Sequence, residues 1–453
     1  MEKPVQAKSY KNYQLIIILF VTGLYSIRLL YCYLGYFRNV QWLGSRDEPH
    51  IYLIGLRYFL TGQFPDWGPD IIYSDTFLVG GMQGFLVGLP LFIWPHPFAP
   101  YLFLFLCLSS GLIYLSWYIT KIFPSLPKIL VYTFVGLAPF TIHTGLHVIN
   151  PAYALVFAIP FMLSLIETLA IFDKQFIHPN WRFFWMGLGI TSVFQIHGSW
   201  AFLFVLWVVA IVYLMYQDRR VLSLVKPFVF TGIGLFIGFL PLIHVLYHFG
   251  FGVFHQAATS FEFRWSNAQD LFKLLFYFMN QSGYEVNAFD NVYRWGSVLN
   301  FAGPVGAAFL AIVQITGYTI FGVEVLLPFW KKWRPYIMQY KKFLVFIVGV
   351  IILLTITYMF SNVRPRAHAI IILFPLSAFY LFWMINNLVK TTKIRPWHFG
   401  VFACFIVGFY MSVAVVTSKL PDLHYREKAF NAIEKKDPSL FETPRFEYPK
   451  AVR

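Results

Sequence analysis

The stretch "FLVGGMQGFLVGLPLFIW", residues 77–94, decides the fold, because whether it crosses a membrane sets the side on which every later loop lies. It is apolar and about as long as the shortest run that spans a bilayer. Yet Gly80, Gly81, Gly84, Gly88 and Pro90 interrupt it, and glycine and proline weaken a helix interior. The charges elsewhere arbitrate. If 76–95 does not span, one set of loops carries Lys3, Lys8, Lys11, Lys121, Lys128, Lys174, Arg182, Arg219, Arg220, Lys226, Lys331, Lys332, Arg334, Lys341, Lys342, Lys390, Lys393 and Arg395. The same loops hold only Glu2, Asp173 and Asp218 as acids. If it does span, all but the first three of those basic residues move to the outer side. Cytoplasmic loops carry the excess of Lys and Arg. The expected arrangement is therefore a re-entrant or interfacial helix pair over 76–95 on the outer side, its broken backbone covered by other helices.

The composition agrees with a membrane solvent. Of 453 residues, 58% are hydrophobic and only 12% charged, against about 25% charged in soluble domains. Mean hydropathy is +0.63. Long apolar runs without strand-like alternation predict an all-α, polytopic membrane protein. Spans are expected at about 14–35, 101–120, 129–146, 152–172, 183–198, 199–216, 227–247, 301–329, 343–360, 368–388 and 398–417. That makes about eleven transmembrane helices, with juxtamembrane helices in the first outer loop. The N-terminus lies in the cytoplasm and the C-terminus outside. Residues 1–417 form the transmembrane domain, and 418–453 a short polar outer-side tail with a helix over "DLHYREKAFNAIEKK". The first apolar run is too long for a signal peptide and lacks a small-residue cleavage site, so it reads as a retained span. Cys32, Cys107 and Cys404 all fall in apolar stretches, which argues against a disulfide framework or a thiolate metal site. The net charge of +15 reflects basic cytoplasmic loops and not a nucleic-acid partner.

Polar groups gather at the outer ends of the helices. Arg46, Asp47, Glu48 and His50 follow the first span. His143, His147 and Asn150 lie in "HTGLHVINPAY", Gln195 and His197 in "FQIHGSW", and Arg364, Arg366 and His368 in "SNVRPRAHA". The last group runs against the positive-inside trend. A long outer loop of about fifty residues, aromatic in "FEFRWSNAQDLFKLLFYFMNQ", is expected to pack on the membrane surface. Each group has a plainer reading: a solvated charged loop, a histidine capping carbonyls, arginines on lipid headgroups. Glu167 and Glu324 are the two intramembrane acids, a class that defaults to functional candidates, although both lie toward the cytoplasmic half.

The order of these segments resembles the glycosyltransferase C superfamily, in the bacterial branch containing protein O-mannosyltransferases and aminoarabinose transferases. Those enzymes open the first outer loop with an acidic residue in a frame similar to "RDEPHIYLIGLRYFLTGQFPDWGP" here. The family places juxtamembrane helices next, then an Asn-Pro turn resembled by "HVINPAY" and a Gln-x-His stretch resembled by "FQIHGSW". The resemblance covers about residues 10–250; the second half matches only in being hydrophobic. It departs from oligosaccharyltransferases in lacking their second outer acidic motif, where His143, His147 and Asn150 stand instead. That departure puts metal dependence in question, leaving no cofactor as the expectation and a divalent metal as the open alternative.

The resemblance implies a membrane glycosyltransferase of the cell inner (plasma) membrane. It would move a hexosyl or pentosyl group from a polyprenyl-phosphate-linked sugar donor to a glycan, lipid or protein acceptor on the outer face, by direct inverting displacement. Such chemistry needs a base for the acceptor and a cation for the leaving phosphate. Asp47 fits the first role, with Glu48 beside it to position the acceptor or Arg46. Arg364 and Arg366 offer planar forks to a phosphodiester. The substrate-binding set is completed by Arg46, His143, His147, Asn150, Gln195, His197 and His368. The alternatives are a transporter or flippase, which predicts inverted repeats and midplane charges, a surface-polysaccharide polymerase or ligase, and a non-catalytic relative.

Overall fold

The computed structural model describes residues 4–33, 47–70, 77–138, 141–142, 145–251, 263–270, 322–360, 367–392 and 431–436, with isolated positions between 274 and 319 and at 395 and 398. The chain is mostly helical. Seven helices among the described residues are long and apolar enough to cross a membrane: Gln14–Tyr31, Ala99–Ile122, Asn150–Thr168, Trp200–Asp218, Leu222–Phe249, Lys341–Met359 and Ile370–Thr391. This is the architecture of an all-α, multi-pass membrane protein. In chain order the elements are α1 (Pro4–Tyr31), α2 (Asp47–Thr61), strands β1 (Trp67–Asp70) and β2 (Phe77–Val79), α3 (Met82–Ile93), α4 (Ala99–Ile122) and α5 (Lys128–Gly136). They continue with α6 (Asn150–Thr168), α7 (Pro179–Phe194), α8 (Trp200–Asp218), α9 (Val225–Phe249), α10 (Arg334–Gln339), α11 (Lys341–Met359) and α12 (Phe374–Thr391).

The centre of the bundle is α12, buried from Phe374 to Asn387, with most of α6 buried as well. The outward faces of α1, α8, α9 and α11 expose large apolar side chains such as Leu19, Val212, Phe236 and Val345. Water would make that band an aggregation surface; a bilayer makes it the natural solvent-facing side.

The deciding stretch divides into a strand and a helix. β2 pairs antiparallel with β1, a short hairpin that the expectation of purely helical structure missed. Its signal, two strands of four and three residues, is too brief to read as alternation. α3 then runs twelve residues, through Gly84, Gly88 and Pro90 without breaking. At 1.5 Å per residue it is about 18 Å long, short of a ~30 Å hydrocarbon core. The expected helix pair within 76–95 is thus a pair between α3 and the preceding α2. Glycine makes that pairing close: a Cβ at Gly88 would stand 2.7 Å from the Gly55 carbonyl oxygen, and one at Gly84 2.6 Å from Ile54 Cγ2.

A second departure lies at 129–146, expected as one span. α5 is only nine residues long, and Pro139 follows three residues after it, where the missing N–H and the ring exclude a continued helix. The carbonyls this exposes are taken by Arg28 of α1. Its Nη1 donates to Gly136 O at 2.6 Å and Thr141 Oγ1 at 3.3 Å, and its Nη2 donates to Thr141 O at 2.8 Å. A guanidinium at a helix C-terminus satisfies orphan acceptors and meets the negative end of the helix dipole.

α7 and α9 pack backbone to backbone. A Cβ at Gly187 would collide with Thr231 O, one at Gly234 with Phe184 O, and one at Gly238 with Thr191 Oγ1. Gly234 and Gly238 form the small-xxx-small pattern that lets membrane helices approach closely. Gly234→Ala is expected to lower stability by about 1–3 kcal/mol through overpacking against backbone that cannot swing away. Gly232→Ala, with open space around its Cβ position, should leave the melting temperature of the detergent-purified protein unchanged. Equal melting temperatures for the two variants would refute the close crossing.

The tail is described only at 431–436, a single helical turn with Ala432 and Ile433 buried; the rest of the expected helix over 422–436 lies outside the described residues. Of the aromatic outer loop, a 3-10 turn at Trp265–Asp270 is seen docking on the end of α11. Arg264 N donates to Met359 O at 2.7 Å and Asn267 Nδ2 to Tyr358 O at 2.9 Å. Of the span expected at 301–329 only 315, 319 and 322–329 are described, and of that at 398–417 only 398.

Candidate functional site at two helix N-termini

Asp47, Glu48 and Pro49 open α2. The combination is a helix-start signal: carboxylates complement the positive dipole end, and proline tolerates the first turn because its N–H would be an orphan anyway. Asn150 and Pro151 open α6 in the same way. The fold brings these two N-termini together through Glu48.

The Glu48 carboxylate is buried at 3% exposure. Its Oε1 accepts from Tyr101 Oη of α4 at 3.0 Å and from the Val148 backbone N–H at 3.0 Å. Its Oε2 lies 2.8 Å from His147 Nδ1. With Nδ1 donating to the carboxylate, the neutral ring carries its lone pair on Nε2. Tyr52, one turn further along α2, donates to Pro97 O at 3.0 Å, which ties the helix to the start of α4. One carboxylate therefore joins α2, α4 and the turn before α6. The carboxylate expected in the catalytic set thus has a protein partner on each of its two oxygens. Glu48 and His147 were each singled out in the sequence, but nothing there indicated that they pair.

The structure places the other expected residues unevenly. Asp47 begins α2, immediately before Glu48; its side chain and that of His368 are outside the described portion, as are Arg46, His143, Arg364 and Arg366 altogether. Asn150 sits at the start of α6 with its Oδ1 buried and unpartnered, one turn from Tyr153, whose hydroxyl is likewise buried and unpartnered. Gln195 is fully buried and donates through Nε2 to Thr191 O at 3.2 Å and Gly238 O at 2.7 Å. Its side chain presses on Gly80, whose φ of +117° and lack of a Cβ are both required by that approach. Gln195 is thus a packing link between α7, α9 and the hairpin, with its Oε1 buried and without a hydrogen-bond partner among the described residues. His197 caps the entry to α8, with Nδ1 2.8 Å from Ser199 Oγ and accepting from Ser199 N at 3.2 Å.

The two intramembrane acids differ. Glu167 is consumed by structure: Oε2 lies 3.1 Å from Arg182 Nε, while Phe176 N donates to Oε1 at 2.7 Å and Ile177 N to Oε2 at 3.0 Å. Buried charge is tolerated when paired and hydrogen-bonded in this way. Glu324 is buried, with neither carboxylate oxygen partnered among the described residues, and its backbone carbonyl accepts from Tyr380 Oη at 2.9 Å.

A further polar group, around Asp66, was not singled out in the sequence. Asp66 Oδ1 lies 3.6 Å from His244 Nε2, His244 contacts His248 with ring centroids 4.4 Å apart, and Phe64 covers His244 at 4.8 Å. The spacing of His244 and His248, four residues on one helix face, was the available signal. Burial holds the Asp66 carboxyl above its ordinary range, against the pull of His244, His248 and Arg57. A carboxyl raised in the folded state favours folding while protonated, below its unfolded value, and that contribution is lost as pH rises through the folded value. Asp66→Asn should therefore melt no lower than wild type at pH 7, with the two converging as pH falls toward 4. A lower melting temperature for the variant at pH 7 would mean that the histidine contact outweighs burial. Among the described residues no group of three or more His, Cys, Asp and Glu side chains is placed to hold a metal ion.

Comparison with known proteins adds no relative: no family model matches the chain, and neither a curated protein nor a solved structure matches it.

Proposed function

We propose that this chain is a membrane glycosyltransferase that transfers a sugar from a polyprenyl-phosphate donor to a glycan, lipid or protein acceptor at the outer face of the inner (plasma) membrane. The observation that carries the reading is the junction of the α2 and α6 N-termini around Glu48 and His147, with the acidic residue of the family-like "RDE" frame, Asp47, at the first position of α2. Two helix N-termini favour a carboxylate in its ionised form, the form a base requires, and favour a phosphate close by. In the reaction the acceptor hydroxyl or amine gives its proton to Asp47 and its lone pair to the sugar's C1. The C1–O bond to phosphate breaks, and the lipid phosphate leaves with the electron pair, stabilised by Arg364 and Arg366. In this reading the chain has about eleven spans, with the N-terminus cytoplasmic and the C-terminus outside.

One specific observation favours a second assignment of the base. His147, oriented by Glu48 through a 2.8 Å contact, has the arrangement of an imidazole base held by a carboxylate. His147→Gln and Asp47→Asn distinguish the two assignments, since the base is the one whose loss removes turnover at saturating donor.

The test is incubation of the purified protein with a panel of radiolabelled polyprenyl-phosphate sugars and membrane-extract acceptors. Transfer of label out of the lipid donor is expected with at least one sugar. Movement of intact labelled donor across a liposome bilayer, without cleavage, would replace the transferase with a flippase. Arg366→Ala should weaken donor binding by roughly tenfold or more, the equivalent of about 1.5–3 kcal/mol for a charge-assisted phosphate contact, with Lys restoring only part because it lacks the planar fork. An unchanged donor affinity in both Arg364→Ala and Arg366→Ala would move the phosphate site elsewhere.

A further inference from the structure

We propose that the segment 326–342, at the end of the bundle opposite Glu48, is a docking surface for an anionic phospholipid leaflet. The opposite placement follows from α4: Glu48 binds Tyr101 near its start, while Phe123, just past its end, packs on Tyr340 at 5.9 Å. The intervening twenty-two residues make about 33 Å of helix at 1.5 Å per residue.

This segment is two 3-10 turns, Leu327–Phe329 and Lys331–Trp333, followed by the six-residue α10 and the start of α11. Trp333 pins it to the core, fully buried and edge-on to Trp383 at 5.6 Å. The residues around that anchor point outward: Leu326 is 69% exposed, Phe329 83% and Met338 62%, with Trp330 at 38%. Exposed aromatic and aliphatic side chains of this size on a surface-lying segment suit the headgroup–acyl boundary.

Charge complementarity names the occupant. Lys331, Lys332, Arg334, Lys341 and Lys342 are all exposed, and none has an ion pair with a carboxylate among the described residues. Lys332 Nζ sits 5.2 Å over the Trp330 ring, and Lys390 Nζ from α12 sits 5.9 Å over Tyr336. Between Glu324 and Asp422 the sequence holds no acidic residue at all. A topogenic signal needs only the charges. The interleaving of cations with outward-facing aromatics is the further feature, and it matches a surface that presents phosphates above hydrocarbon. The inference does not depend on the transferase reading, because it concerns the other face of the molecule.

The experiment uses the full-length protein in detergent, titrated with phosphatidylglycerol or phosphatidylcholine in mixed micelles while thermal unfolding is followed. Phosphatidylglycerol is expected to raise the melting temperature by several degrees more than phosphatidylcholine at equal lipid-to-protein ratio. That difference should collapse at about 0.5 M salt, where screening acts within a few ångströms. The Lys331→Gln/Lys332→Gln/Arg334→Gln variant should lose the difference while keeping the phosphatidylcholine response. Phe329→Ser, which keeps every charge, should lose part of it. No phosphatidylglycerol preference in the wild type overturns the proposal whether or not the triple variant folds. So does an undiminished preference in the triple variant, or an equal shift produced by glycerol phosphate or heparin, which would mark a general polyanion site.

Discussion

Asp47→Asn is expected to reduce sugar transfer by roughly two to four orders of magnitude, the usual consequence of losing a general base, while leaving expression and melting temperature near wild type. The expectation of unchanged stability rests on position. Asp47 is the first residue of α2, and asparagine is itself a favourable residue at a helix start, so the local structure has little reason to change. Radiolabel transfer from the donor that the wild type accepts is the measurement, with saturating donor and acceptor. A variant retaining a third or more of the wild-type rate would remove Asp47 from the chemistry and leave His147 as the remaining candidate base.

Glu48→Ala should fail differently, by loss of the fold around the site. Removing the carboxylate leaves the Tyr101 hydroxyl, the Val148 N–H and His147 Nδ1 without the acceptor they share. Deleting one partner of a buried charged network costs about 3–5 kcal/mol, a large part of a typical folding free energy. A drop in melting temperature well beyond that of Asp47→Asn is therefore expected, with poor recovery of monodisperse protein. Glu48→Gln keeps an oxygen for Tyr101 and Val148 and should regain much of that stability. If it also regains full transfer, the carboxylate serves only to hold the junction. If it stays slow while melting normally, the orientation of His147 by a negative charge matters to the reaction. A Glu48→Ala protein that melts like wild type would refute the clamp.

The two predictions separate roles that neighbouring letters conceal. Asp47 and Glu48 are adjacent carboxylates, equally polar and equally exceptional in an apolar chain. Glu48 reaches the turn before α6, a pairing that its adjacency to Asp47 does not foretell. The assignment of partners then depends on residues 53 and 99–100 positions further along the chain, a distance at which one-dimensional pattern carries no signal.

Much of the architecture was nonetheless legible. Hydropathy and charge are sums over short windows, and the bilayer acts on those sums: long apolar runs become helices, and lysine-rich loops stay on one side. The membrane class and seven of the expected span positions followed from that arithmetic, and the stretch 76–95, expected not to span, holds a twelve-residue α3. The same sums could not foresee a break inside 129–146. That break is stable because a guanidinium on α1 accepts the task of satisfying Gly136 and Thr141, and an arginine in an apolar helix otherwise reads as an anomaly. Nor could they separate Glu167, bound by Arg182 and two backbone amides, from Glu324, which has no partner for either oxygen among the described residues.

By itself, then, the sequence determined the membrane solvent, most of the long helices and the short roster of polar residues near helix ends, because each is set by local composition. Only the tertiary structure decided which of those residues are already satisfied. Glu48, Glu167 and the amide nitrogen of Gln195 all proved to be engaged in holding helices together, because a buried polar group must find its hydrogen-bond partner wherever the fold puts one, and that place is not written in the neighbouring letters.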